Sequence, residues 1–141
     1  MNWYKKAQLN NNFTYEVNEE RTTIKSDYGL IIITESSPQY EFLDDFTPEE
    51  FKNIGVDEND FITKIEHIEV NPKFRGMRAG IALMKEAMKE VARRNLNYVY
   101  LNASPMGFDG LSLEDLTKFY EKFGFKVIKE QGGNNLMGIK Y

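Results

Sequence analysis

Residues 70 to 80, VNPKFRGMRAG, set Lys73, Arg75 and Arg78 beside Gly76 and Gly80 with no acid among them. The segment follows an apolar, β-branched stretch and leads into a helical rhythm, so it forms a strand-to-helix turn. At a helix start the first N–H groups have no intrahelical partner and the dipole favours negative charge. Glycines there let an anion approach the backbone, and the cations supply the counter-charge; a diphosphate fits best. Cations are otherwise disfavoured at that end of a helix, which argues that an anion compensates them. A P-loop is excluded because no Gly-Lys-Ser/Thr follows. The dinucleotide fingerprint is excluded by the glycine spacing and by the lack of an acid about 20 residues on.

Composition narrows the rest. A chain of 141 residues, 41% hydrophobic and 28% charged, buries one sizeable core, so a single domain over 1–141 is expected. It has no cysteine and one histidine, which removes disulfides, thiolate metal sites and a cysteine nucleophile, and no metal is expected. No apolar run approaches the roughly 20 residues of a membrane span, so a soluble, cytoplasmic protein with no membrane partner is expected. Net charge is −4 but unevenly divided. Residues 1–60 carry five Lys/Arg against 13 Asp/Glu, a net of −8, and residues 61–141 carry 13 against nine, a net of +4. The acidic half repels phosphates and argues against nucleic acid. No G-x-S-x-G elbow is present, which disfavours a serine hydrolase.

The elements that position the basic turn follow from pattern. FTYEV (13–17), RTTIKS (21–26) and LIIITES (30–36) predict an antiparallel meander. Thr47, Pro48, Glu50 and Gly55 mark the cap, first turn, capping box and stop of a short helix. FITKIEHIEV (61–70) predicts a strand ended by Pro72. Ile81, Met84, Met88 and Val91, with Leu83 and Ala87, predict a long amphipathic helix, with Glu90 and Arg94 paired on its solvent side and Lys85, Lys89 and Arg93 on a solvated face. NYVYLNAS (97–104) returns as a strand, making 61–102 a parallel βαβ unit. After the Gly-rich loop PMGFDGL, Ser112 caps another helix that Gly124 ends, and FKVIKE and NLMGIKY close a hairpin through Gly132 and Gly133.

The turn resembles the acetyl-CoA motif of the GNAT (Gcn5-related N-acetyltransferase) superfamily, Q/R-x-x-G-x-G/A after a strand ending V-x-P. Val70, Pro72, Arg75 and Gly80 match it, and Arg78 stands where that family usually has its first glycine. LTKFYEKFGFKVI is similar to its F-Y-x-x-x-G-F motif before a C-terminal hairpin. The two motifs cover 61–141 as an acetyl-CoA-binding part, and 1–60 is a divergent acceptor-side part. The resemblance implies an α/β (α+β) fold: a mixed central sheet with a βαβ acetyl-CoA-binding core, splayed parallel strands and a C-terminal β-hairpin.

It also implies an N-acetyltransferase with acetyl-CoA as cosubstrate and direct attack by a primary amine, in a monomer or homodimer. Ile68 and Val70 would offer backbone to the pantetheine, and Arg75, Gly76, Met77, Arg78, Ala79 and Gly80 would hold the diphosphate. Tyr120 would protonate the departing thiolate. The family's histone-type base position is occupied by Lys64, so Glu66, two residues on, is named as base. His67 would share the cleft only if a bulge intervened, and Glu69 and Asn102 remain open. The acids from Glu41 to Asp60, eight against Lys52, predict an acceptor that is a cationic small molecule or peptide amine. The alternative is a catalytically inactive acyl-CoA-binding module or interaction domain.

Overall fold

Thr22, Ile24, Ile31 and Ile33 alternate inward along two short strands and are buried, which seeds the sheet that the rest of the chain completes. The computed structural model describes residues 13–74, 78–94, 98–105 and 111–140. Its strands are β1 (Thr14–Val17), β2 (Arg21–Ser26), β3 (Gly29–Thr34), β4 (Ser37–Pro38), β5 (Phe61–Val70), β6 (Tyr98–Ala103), β7 (Lys126–Glu130) and β8 (Asn135–Lys140). Its α-helices are α1 (Pro48–Asn53), α2 (Ala79–Arg94) and α3 (Leu113–Glu121), with 3-10 turns at Gln39–Phe42 and Pro72–Phe74. Among the described residues these strands form one mixed sheet in the order β1-β2-β3-β5-β6-β8-β7, with β4 pairing the start of β5. The β5–β6 pair is parallel and the other pairs are antiparallel. This is the mixed α/β sheet with βαβ core and closing hairpin that the motifs imply.

Each face of the sheet carries its own core. Val99, Leu101 and Ala103 of β6 pack with Leu83, Met84, Ala87 and Val91 of α2 and with Leu116 and Tyr120 of α3. Tyr98 and Tyr100, alternating with them, point to the opposite face and pack with Phe46, Phe51 and Val56 around α1. Burying a side chain of this size contributes about 1.5–3 kcal/mol, so both helical layers are held mainly by apolar contact. Thr47 caps α1 as expected: its hydroxyl accepts from the Glu50 N–H at 3.1 Å and its own N–H donates to Glu50 Oε1 at 2.9 Å. Ser112 Oγ likewise accepts from the Asp115 N–H at 3.1 Å. No helix among the described residues is long and apolar enough to cross a membrane.

Two expectations need correction. The third strand stops at Thr34 rather than residue 36, because Ser36 turns its hydroxyl onto Thr63 at 2.9 Å and the chain enters β4. Glu90 and Arg94 do not face solvent. Glu90 is 5% exposed, and Arg94 reaches across to Thr22 Oγ1 at 2.6 Å and the Thr34 carbonyl at 3.5 Å. The cause is that α2 packs on β2 and β3 at that end, where threonine oxygens supply polar partners for a partly buried cation.

Gly29, at the β2–β3 turn, has φ +150°, and a Cβ there would lie 1.9 Å from the Glu69 carbonyl oxygen. Gly29→Ala should therefore force β3 away from β5 and destabilise the protein by about 2–4 kcal/mol. A urea melt reads this, and an unchanged midpoint would show that the two backbones are not held in that approach.

Candidate active site

The central cleft arises where β5 and β6 part. Their ladder runs from Ile62 opposite Tyr98 to Ile65 opposite Leu101. Beyond it β5 continues against β3 as far as Val70, while β6 continues against β8 through Ala103. The two strands thus part after Ile65 and Leu101 while each stays paired on its outer side. The opening has a volume of about 210 Å³ and is lined by Lys64, Ile65, Glu66, His67, Ile68, Leu101, Asn102, Ser104 and Tyr120. Edges of this kind, at the carboxyl ends of parallel strands, leave backbone groups available to an extended ligand.

A β-bulge arranges one wall. Ile32 pairs with His67 but Ile33 pairs with Ile65, so Glu66 is the extra residue of β5. The bulge shifts the phase of the strand, and Ile65, Ile68 and Val70 enter one core although the first two are three residues apart. Glu66 and His67 consequently both line the cleft. His67 Nε2 lies 3.9 Å from Glu69 Oε1, both side chains being about half exposed. Glu69 is exposed and does not line the cleft, and Val70 is buried against the core.

Tyr120 is 4% exposed and stands between the rings of Phe119 and Phe125, at 5.2 and 6.4 Å. Burial pushes its phenol above the ordinary tyrosine value, so it stays protonated at neutral pH. Arg78 is exposed and immediately precedes α2, with Ala79 buried and Gly80 partly buried behind it. Arg78 adopts φ +61°, the left-handed region that favours glycine. Arg75, Gly76 and Met77 lie outside the described residues, as does most of the loop 105–111.

Beside the cleft lies a broad, open cavity of about 790 Å³ whose lining includes Glu19, Glu20, Glu35, Glu41, Asp44, Asp45 and Glu66. Lys64 and Glu66 line both this cavity and the cleft. The expected acidic stretch therefore divides. Glu41, Asp44 and Asp45 face this cavity, whereas Glu49, Asp57 and Glu58 line a different groove beside α1. The sequence reading missed Glu19, Glu20 and Glu35, which the β1–β2 turn and the end of β3 bring in; Glu35 N–H donates to the Glu20 carbonyl at 2.7 Å. It also missed the pairing of Lys64 with Asp45 at 2.9 Å.

The family model of the acetyltransferase (GNAT) domain matches residues 46–127, more than half of the chain. The chain belongs to the GNAT family. No curated protein matches it. Solved GNAT structures share the fold at low identity. Arabidopsis thaliana Naa50, in complex with the bisubstrate analogue CoA-Ac-MVNAL, is 16% identical with a TM-score of 0.54, over 99% of this chain and 93% of that one. A GNAT family acetyltransferase from Elizabethkingia anophelis with acetyl-CoA bound is 12% identical, TM-score 0.53, over 98% and 82%. PaiA N-acetyltransferase from Thermoplasma acidophilum, in complex with coenzyme A, is 18% identical, TM-score 0.51, over 86% and 60%. This GNAT chain thus spans 60% of the Thermoplasma protein, and 64% of a GNAT family acetyltransferase from Listeria monocytogenes. Within the GNAT motif, the positive φ at Arg78 gives a backbone reason for the glycine usual at that position.

Proposed function

We propose that the protein transfers the acetyl group of acetyl-CoA to a primary amine by direct attack, the acceptor being a cationic small molecule or peptide amine. The observation that carries this reading is the parting of β5 from β6 after Ile65 and Leu101, which opens one edge of β5 beside Tyr120 and Glu66. The backbone at Ile68 and Val70 would receive the pantetheine, and the turn from Arg75 through Gly76, Met77, Arg78 and Ala79 to Gly80 would receive the diphosphate. The CoA-bound relatives support that cosubstrate.

Glu66 takes a proton from the attacking nitrogen, with His67 beside it as the next candidate. The nitrogen lone pair forms the C–N bond, the C–S bond breaks, and the thiolate receives the proton of Tyr120. Burial keeps the phenol protonated, so the proton is present for that step.

Two measurements test this. Calorimetry with acetyl-CoA should show binding, and thiol release should follow with polyamines, aminoglycosides or peptides bearing free amines. The carboxylate-lined cavity should concentrate cations, so the acceptor Michaelis constant should rise with ionic strength. Binding without thiol release from any amine would leave an acyl-CoA-binding module, and a preference for neutral or anionic acceptors would remove the steering role.

Arg78 gives a separate check because its two effects have opposite sign. Arg78→Gly should weaken acetyl-CoA binding about tenfold through loss of a charge-assisted contact. It should leave stability unchanged or raise it by about 1 kcal/mol, since glycine adopts φ +61° without strain. Unaltered affinity would dismiss the arginine as a ligand for the diphosphate.

A further inference from the structure

We infer that Lys64 is a positioning residue for the amine acceptor, fixing the Asp45 carboxylate on the wall of the acidic cavity; the inference rests on the acetyl-transfer reading above. Lys64 and Tyr100 stand opposite each other on the parallel β5–β6 pair, one step before the final pair of Ile65 and Leu101. Both reach the same atom. The Lys64 ammonium donates to Asp45 Oδ2 at 2.9 Å, and the Tyr100 hydroxyl donates to that oxygen as well. The carboxylate is thereby held in the cavity against Lys64, which also lines the cleft.

The surroundings of this contact are fixed independently of it. The Phe42 carbonyl accepts from the N–H groups of Asp45 and Phe46, each at 3.1 Å, and the Asp45 carbonyl accepts from Lys129 Nζ at 3.2 Å. The rings of Phe42 and Phe46 meet Tyr100 edge-on at 5.7 and 5.0 Å. On the other side, the Lys64 N–H donates to Thr34 Oγ1 at 2.9 Å, which ties the lysine backbone where β3 ends. An ammonium projected from so constrained a strand sets the place of its partner rather than following it.

Electrostatics say why a cation is needed there. Among the described lining residues of the cavity, seven are acidic and Lys64 is the one cation. The Lys64 and Asp45 side chains are 18% and 25% exposed, so water screens this pair less than a surface pair. Without the ammonium, the Asp45 carboxylate would lose the charge that offsets its repulsion by Glu66, Asp44 and Glu41, and it would shift within the cavity while the wall behind it stays in place. Acceptor seating would suffer. The proposed acetyl-CoA contacts, from Ile68 onward and at the start of α2, would not.

The test compares Lys64→Met, Asp45→Asn, their combination and Lys64→Arg in the full chain, reading acetyl-CoA affinity by calorimetry and acceptor kinetics by thiol release. Lys64→Met and Asp45→Asn should each raise the acceptor Michaelis constant about tenfold or more, with kcat within about threefold. Their acetyl-CoA affinity should be unmoved, and the combination should be no worse than the weaker single variant, because the two residues act as one unit. Lys64→Arg should restore near-native acceptor kinetics. An unchanged acceptor constant in Lys64→Met, or a parallel loss of acetyl-CoA affinity, overturns the assignment. If Lys64→Met does not fold, Asp45→Asn and Lys64→Arg carry the comparison. A parent protein that binds no acetyl-CoA would bring down the acetyl-transfer reading and this assignment together, whereas normal parent turnover with insensitive variants would bring down this assignment alone.

Discussion

Tyr120→Phe should slow acetyl transfer by about two to four orders of magnitude while leaving acetyl-CoA binding in place. The substitution keeps the ring that packs with Phe119 and Phe125 and removes one hydroxyl, so the stability cost should stay near 1 kcal/mol. Single-turnover measurement reads the chemical step directly, without interference from product release. The pH profile adds a second check. Burial raises the phenol, so the proton that Tyr120 would donate is retained through neutral and mildly alkaline pH, and the rate should not decline there on its account. A folded variant with native single-turnover rate would return Tyr120 to the core of α3, where it is already 4% exposed, and leave protonation of the thiolate to water.

What could be read in the sequence was what local physics writes into local pattern. The capping box at Thr47, the apolar period of α2 and the Gly132–Gly133 turn are short-range devices, and each produced the element expected of it. The strand 61–70 was legible in extent but not in phase. Its apolar residues Ile65, Ile68 and Val70 already contain the slip, since Ile65 and Ile68, three apart, share one core only with an extra residue between them. That spacing was the available signal for the bulge at Glu66, and it would have put His67 into the cleft at once.

The acceptor side was harder to read because its pieces come from distant parts of the chain. Glu19, Glu20 and Glu35 share a cavity with Asp44 and Asp45 only because β2 and β3 fold back beside β5. Lys64 appears in sequence as a base position filled by a cation, and its meaning depends on Asp45, 19 residues away. Charge type alone misled on α2, where Glu90 and Arg94 have the spacing of a surface pair but Glu90 is buried and Arg94 partly so.

Loss of the Glu90 carboxylate should therefore cost far more than a helix-surface ion pair. Glu90 Oε2 accepts from Arg94 Nε at 2.7 Å, and Arg94 in turn reaches Thr22 on β2 and the carbonyl of Thr34 on β3. Arg93 also donates to Glu90, but its side chain is 74% exposed and contributes little, so the 15% exposed Arg94 decides the size of the effect. Glu90→Ala strands that guanidinium, and breaking a buried pair costs about 3–5 kcal/mol, a large part of the 5–15 kcal/mol typical of a whole domain. Replacing both partners, as Glu90→Gln with Arg94→Met, should cost much less than Glu90→Ala because no uncompensated charge is left. Acid gives an independent reading. Burial acts to raise the Glu90 carboxyl, but hydrogen bonds from Arg93 and Arg94 outweigh it and hold the carboxyl below its ordinary value. A depressed folded value means that the pair's stabilisation is fully present above the unfolded glutamate value of about 4.3 and is lost as pH falls through the folded one. In urea melts the gap between the parent and Glu90→Gln should be full near neutral pH and narrow progressively below that value. A gap of the same size at both ends of the range would mean that the carboxylate is not the stabilising form and that Arg94 is held against β2 and β3 by its threonine contacts alone.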